Sequence, residues 1–302
     1  MIRRSAALLF VSLWCSACGA SPQAQPTALE GATVASLTPT AASTLEESTA
    51  TLGPLTEATL PIVLEPPDLP PTPTIIPPPV NLPPENLSIL EPGPGSQVTS
   101  PFQMIGRGGP SFNERVEVRL IGEDGRLIDE RTTILLAYPG GAGRFITELS
   151  FESPLVAELA RLEIVTFERR YGRVGHLASM NLVLLSTGRA LVHPGALGPE
   201  KIAILAPRNG SAISGGRLTV QGAGWLNADV PLTVELFDSQ GQVLASAQVQ
   251  LDAPGIGQVG IFRVELTYQI PFRQYGRIAV SEPSMEIPGL VHSSSVEVFL
   301  QP

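Results

Sequence analysis

The sequence predicts an all-β fold: two tandem antiparallel β-sandwiches carried behind a disordered Pro/Thr-rich stalk. Three observations predict it. The C-terminal part of the chain repeats itself after roughly 115 residues, too long a period for a solenoid and right for a duplicated domain. Inside each repeat the apolar period is two, the signature of strands with one buried and one wet face. Before the repeats lies a stretch whose prolines exclude both helix and sheet. Across 302 residues there are 30 prolines, 29 glycines and only 5% aromatics, which favours turns and short strands over long helices.

The repeat is read from residues that recur in order. Leu87-Ser88-Ile89-Leu90-Glu91-Pro92 leads to Gly95-Ser96, and Ile202-Ala203-Ile204-Leu205-Ala206-Pro207 leads to Gly210-Ser211. Gly106 matches Gly222, Val116 to Leu120 matches Leu232 to Leu236, and Asp124-Gly125 matches Gln240-Gly241. Phe145 to Phe151 then matches Phe262 to Tyr268. In the latter run Phe262, Val264, Leu266 and Tyr268 alternate with Arg263, Glu265 and Thr267, so a register slip of one would turn the core face to water. About seven strands per repeat, punctuated by Gly, Pro, Asp and Asn, indicate a sandwich. Glu123-Asp124-Gly125 and Ser239-Gln240-Gly241 read as hairpin turns. Phe145 and Phe262 are the expected core anchors.

The stalk and the N-terminus come next. Residues 18–86 are rich first in Thr, Ala, Ser and Glu, then in paired prolines, and bury too little apolar surface to offset their ordering entropy. Their proline-dense part favours polyproline II and extends at ~3.1 Å per residue, so Leu60 to Pro84 spans roughly 75 Å. Residues 1–17 read as a signal peptide: Arg3 and Arg4, a short apolar run, then small residues before a cysteine. The run is too short to span a bilayer. Cys15-Ser16-Ala17-Cys18 resembles a bacterial lipobox with Cys15 where Leu is usual, which implies lipidation of Cys18 and a membrane-anchored, extracytoplasmic protein. After cleavage no cysteine pair remains for a disulfide, so the domains hold by core burial. The expected organisation is therefore a signal peptide (1–17), a linker (18–86), domain 1 (87–186), an inter-domain linker (187–200) and domain 2 (201–302), each domain folding by itself.

These features together resemble the immunoglobulin-like domain of bacterial spore germination proteins, which is often found beside the GerM domain. The resemblance rests on the Pro-x-x-Gly-Ser turns at Pro92 to Ser96 and Pro207 to Ser211, the strands closing on Gly106 and Gly222, the turns at Gly125 and Gly241, and the Phe-led strands from Phe145 and Phe262. It covers both repeats. Phe112-Asn113 and Leu226-Asn227 replace the family's aromatic-Glu pair, and the chain has no GerM domain. The resemblance implies immunoglobulin-like sandwiches in a non-catalytic envelope module for protein interaction or spacing; carbohydrate or peptidoglycan binding is the alternative.

Chemistry-bearing motifs are few. The net charge of −9, with no basic patch interleaved with aromatics, argues against nucleic acid. His176, His193 and His292 each stand alone in sequence, so solvated histidines and no metal site are expected, and no cofactor. Gly106-Arg107-Gly108-Gly109 and Pro139 to Gly143 read as loops without a following helix, not phosphate cradles. Asp124 and Asp238 read as turn residues bonding their own backbone. The remaining contact candidates for an envelope protein or glycopolymer are Trp225, Phe112 and the basic turn Arg169, Arg170, Tyr171, Arg173. Their convergence on one exposed face would favour a carbohydrate binder, and their scatter a spacer.

Overall fold

The computed structural model describes residues 81–302 except Pro154. The expected signal peptide, Cys18 and the stalk up to residue 80 lie outside the described residues. The first repeat is built from β1 (Leu87–Glu91), β2 (Gln97–Thr99), β3 (Phe102–Gly108), β4 (Arg115–Gly122), β5 (Leu127–Ile134), β6 (Gly143–Leu149), β7 (Ala157–Phe167) and β8 (Val174–Leu185). The second contains β9 (Ile202–Ala206), β10 (Ser211–Ile213), β11 (Arg217–Gly224), β12 (Leu232–Phe237), β13 (Val243–Val249), β14 (Gly260–Thr267), β15 (Gln274–Pro283) and β16 (Leu290–Leu300). The strand beyond the expected seven is the short β2 or β10, which follows the Gly-Ser turn.

Each repeat is an immunoglobulin-like sandwich. One sheet has the order β1-β3-β6, or β9-β11-β14 in the second repeat. The facing sheet has the order β5-β4-β7-β8, or β13-β12-β15-β16. All these pairings are antiparallel, while β2 and β10 run parallel to β8 and β16. The alternation foreseen in sequence is visible in burial: β12 and β14 place every second residue inward. Two separate apolar cores result. Leu87, Met104 and Phe145 face Val118, Leu162 and Leu184 in the first, and Ile202, Val220 and Phe262 face Val234, Ile278 and Val298 in the second.

Phe145 and Phe262 are buried as expected, and they explain the glycines opposite them. Gly106 pairs with Phe145 and Gly222 with Phe262. A Cβ on either glycine would stand 2.2 Å from the phenyl Cζ, so each ring lies flat on the partner strand's backbone. This corrects the reading of Gly106 to Gly108 as a loop: these residues end β3, and their glycines serve close packing rather than chain reversal. The true reversals are Gly125 and Gly241, each with φ +84°. There Asp124 Oδ1 accepts the Arg126 N–H, and Asp238 Oδ1 accepts those of Gln240 and Gln242.

The two sandwiches belong to one compact unit. Last strands β8 and β16 pair antiparallel at Leu177↔Ser293 and Ala178↔His292, which merges the two larger sheets into one of ten strands. The last three residues of each strand's free edge pair with its own short strand, β2 or β10. Two residues near the start of each pair with the other repeat, so this edge is blocked at both ends as a template for other chains.

Candidate functional site: a buried histidine-glutamate seam

The seam has local two-fold symmetry. Val98 pairs with Leu184 and Ile213 with Leu300, at matching positions of the two repeats. Equal steps back along the strands from Leu184 and Leu300 reach His176 and His292. The same steps give Leu177 and Ser293, which face each other across the seam, so the symmetry axis passes between them. The segments entering the two repeats meet likewise: Pro84 bridges Pro199, the Glu85 N–H donates to Gly198 O at 3.0 Å, and the Glu200 N–H donates to Pro83 O at 2.8 Å. Glu85 and Glu200 each stand just before the first strand of their repeat.

Around that axis the buried polar groups converge. His176 Nε2 lies 3.1 Å and His292 Nε2 2.9 Å from the same Glu200 Oε1. Glu200 Oε2 accepts the Asn86 backbone N–H at 2.8 Å. The imidazoles meet edge to face, with centroids 5.0 Å apart and planes at 89°. Ser294 Oγ donates to Ile202 O at 2.6 Å and stands 3.4 Å from His292 Nε2. Beside them Lys201 Nζ pairs with Glu282 at 2.9 Å, and Ser88 Oγ donates to Glu85 Oε2 at 3.0 Å. Burial alone would raise the Glu200 carboxyl, but hydrogen bonds from the two histidines outweigh it and hold the group well below the usual carboxylate range. His292 is pushed down to about 4 by burial, against the pull of Glu200. Burial also raises the Glu85 carboxyl, with Ser88 acting against it and Glu200 adding to it.

The reading of three isolated, solvated histidines is thereby corrected for two of them. His193 is exposed, but His176 and His292 are 7% and 1% exposed and adjacent. Sequence spacing hid this, because the two residues lie in different repeats and meet only through the β8–β16 pairing. Glu200, placed by sequence at the end of a linker, is a core member of the seam.

The predicted contact residues do not form one surface. Trp225 follows β11 and is half-buried; Lys201 Nζ sits 5.3 Å from its ring, and its indole N–H is buried with no partner among the described residues. It lines a cleft of ≈ 720 Å³ between the repeats, together with Glu85, Lys201, Asn181, Glu286 and His292. Phe112, Arg169, Arg170, Tyr171 and Arg173 are not on its walls. Phe112 is exposed and lies beside Gly172, at the tip that joins β7 to β8. Within that tip Arg169, Arg170 and Tyr171 are exposed, and Arg170 and Arg173 are engaged across the seam. Arg170 lies 3.6 Å over the Tyr275 ring and bonds Glu297 at 2.9 Å; Arg173 donates to Asp238 O at 3.0 Å and Ser239 O at 2.7 Å. Sequence reasoning missed a second clasp, again from the first repeat to the second. Arg161, 1% exposed in β7, donates to Ile287 O at 2.6 Å, Pro288 O at 2.7 Å and Glu163 at 2.9 Å. Its signal was a charged residue inside an apolar strand, Leu159 to Phe167.

No protein-family model and no curated protein matches the chain. Among solved structures, the crystal structure of red sea bream transglutaminase is similar over 72% of this chain and 31% of that one, at 11% identity and a TM-score of 0.28. The chain thus spans under a third of that protein's length, and the likeness is too slight to inform function. No helix among the described residues is long and apolar enough to cross a membrane.

Proposed function

We propose that this is a non-catalytic cell-envelope lipoprotein that holds a stiff pair of immunoglobulin-like sandwiches away from the membrane for protein interaction or spacing. The observation that carries this reading is the seam. A continuous sheet, the Arg161 and Arg173 clasps and the buried His-Glu cluster join the repeats into one body, as a spacer or presenting arm requires. The scatter of the exposed aromatic and basic residues also favours this role over a sugar platform. Lipidation at Cys18 and the spore-germination kinship of the domains belong to the same proposal and rest on the sequence motifs. The test has two arms. Cys18→Ser should release the protein from the membrane fraction, and the intact two-repeat protein, crosslinked in its native envelope, should recover a protein partner; retention of Cys18→Ser on the membrane rejects the lipid anchor.

A second reading, binding of a carbohydrate or peptidoglycan fragment, is favoured by one observation: the unpartnered Trp225 N–H at the wall of the inter-repeat cleft. Soluble peptidoglycan fragments that change Trp225 fluorescence saturably would support it; a flat titration rejects it.

A further inference from the structure

We propose that His176, Glu200 and His292 form a binding site for one divalent transition-metal ion, zinc by chemistry, which clasps the two repeats at their seam. The ligand set is borderline-soft imidazole with one carboxylate, the mixture zinc takes. All three side chains are buried, and their ligating atoms lie within 4.8 Å of one another. The His176 and His292 Nε2 atoms lie 3.1 and 2.9 Å from Glu200 Oε1. Donors ~2.0–2.1 Å from a tetrahedral zinc stand about 3.3 Å apart. Opening the two nitrogen-to-carboxylate separations by a few tenths of an ångström therefore brings them to zinc-ligand spacing.

Charge points the same way. Glu85, Glu200 and Glu282 are gathered around one ammonium, Lys201, which already pairs with Glu282. The one ammonium here is thus already engaged, and a divalent cation gives the buried Glu200 carboxylate a positive partner. A fourth ligand, water for instance, would come from the cleft lined by Glu85 and His292, which also provides the entry path. One repeat supplies His176; the other supplies His292, with Glu200 at its entrance. The bound ion thus ties together elements far apart in sequence, and its binding energy adds to the stability of the joined pair.

The test uses the full chain with Cys15→Ser and Cys18→Ser, so that no thiol competes, stripped with a chelator. Titration with Zn²⁺ should give one site per chain by calorimetry and raise the melting temperature with metal concentration. Co²⁺ should give the intensified visible absorption of a four-coordinate site. His176→Gln and His292→Gln retain a side-chain N–H for Glu200 but lose the ligand. Each should weaken Zn²⁺ binding beyond the ~10–100-fold seen when an outer-shell partner is lost, with the strand circular dichroism unchanged. Should either variant fail to fold, the Co²⁺-loaded parent decides: two paramagnetically shifted exchangeable ring N–H signals support ligation through both Nε2 atoms, and none overturns it. Absence of stoichiometric Zn²⁺ binding by the parent, or undiminished binding by folded Gln variants, also overturns the proposal.

Discussion

Replacing Gly106 with alanine should destabilise the first repeat because of one aromatic ring, and removing that ring should cancel the effect. The nearest atoms to a Cβ at this position all belong to Phe145: Cζ at 2.2 Å, Cε2 at 2.7 Å and Cε1 at 2.8 Å. Phe145 is fully buried, so it cannot swing into water to relieve the overlap. Overpacking of this kind costs about 1–3 kcal/mol, and Phe145→Ala alone about 3–5 kcal/mol. Additivity would put the double variant near 4–8 kcal/mol, enough to unfold many domains. Because the ring is the obstacle, the double variant should instead lie close to Phe145→Ala, with a coupling of about 1–3 kcal/mol. Gly222 is the internal control. A Cβ there meets the Phe262 Cζ at 2.2 Å but also the Ala203 carbonyl oxygen at 2.5 Å, so Phe262→Ala should rescue Gly222→Ala only in part. Urea denaturation followed by circular dichroism measures all six variants. Additive losses in the first repeat would refute the account of these glycines as seats for a ring.

Arg161→Met should cost about 3–5 kcal/mol, since it leaves Glu163 buried without its cation and two carbonyls of the Ser284–Gly289 loop without donors; an unchanged urea midpoint would refute the clasp. Trp225→Ala should cost less than about 1.5 kcal/mol, because the ring is half-buried at a cleft wall and its N–H is unpartnered; a loss equal to that of Phe262→Ala would make it a core residue. Each repeat expressed alone should retain strand circular dichroism, having its own apolar core, yet melt below the joined pair, since Arg161, Arg173 and the histidine cluster lose their partners. Equal melting temperatures would contradict the seam's contribution.

The sandwiches were legible because their physics is local. Alternation in Val116 to Leu120 or Phe262 to Tyr268 reports one buried face whatever the remote partner, and Gly125 or Gly241 reports a turn whose φ a side chain resists. The seam was not legible by the same means. Strands β7 and β15 break the alternation, with burial on both faces: Leu162 and Ile164 face the core, while Arg161 and Glu163 on the other row are covered as well. A period-two pattern cannot announce a second buried face lined by charge. The basic turn at Arg169 to Arg173 misled for a related reason, because charge at a hairpin tip looks alike in sequence whether water or another domain covers it.

One signal of the seam was nevertheless present in the chain, and it lies in the repeat itself. Duplicated domains that pair through the same strand on both sides place equivalent residues around a local two-fold axis, as in an isologous dimer interface. Any chemistry-bearing residue kept at the same repeat position then has a chance of meeting its counterpart. His176 and His292 are such a pair, and so are Glu85 and Glu200, each just ahead of its repeat's first strand. Symmetry brings all four to the axis, but only one carboxylate can occupy it: Glu200 takes both imidazoles, and Glu85 is turned aside to Ser88. The broken symmetry follows from desolvation. Two carboxylates sharing one pair of imidazoles would repel each other where water cannot screen them, and the repeat that yields the axis keeps its own carboxyl raised by burial instead.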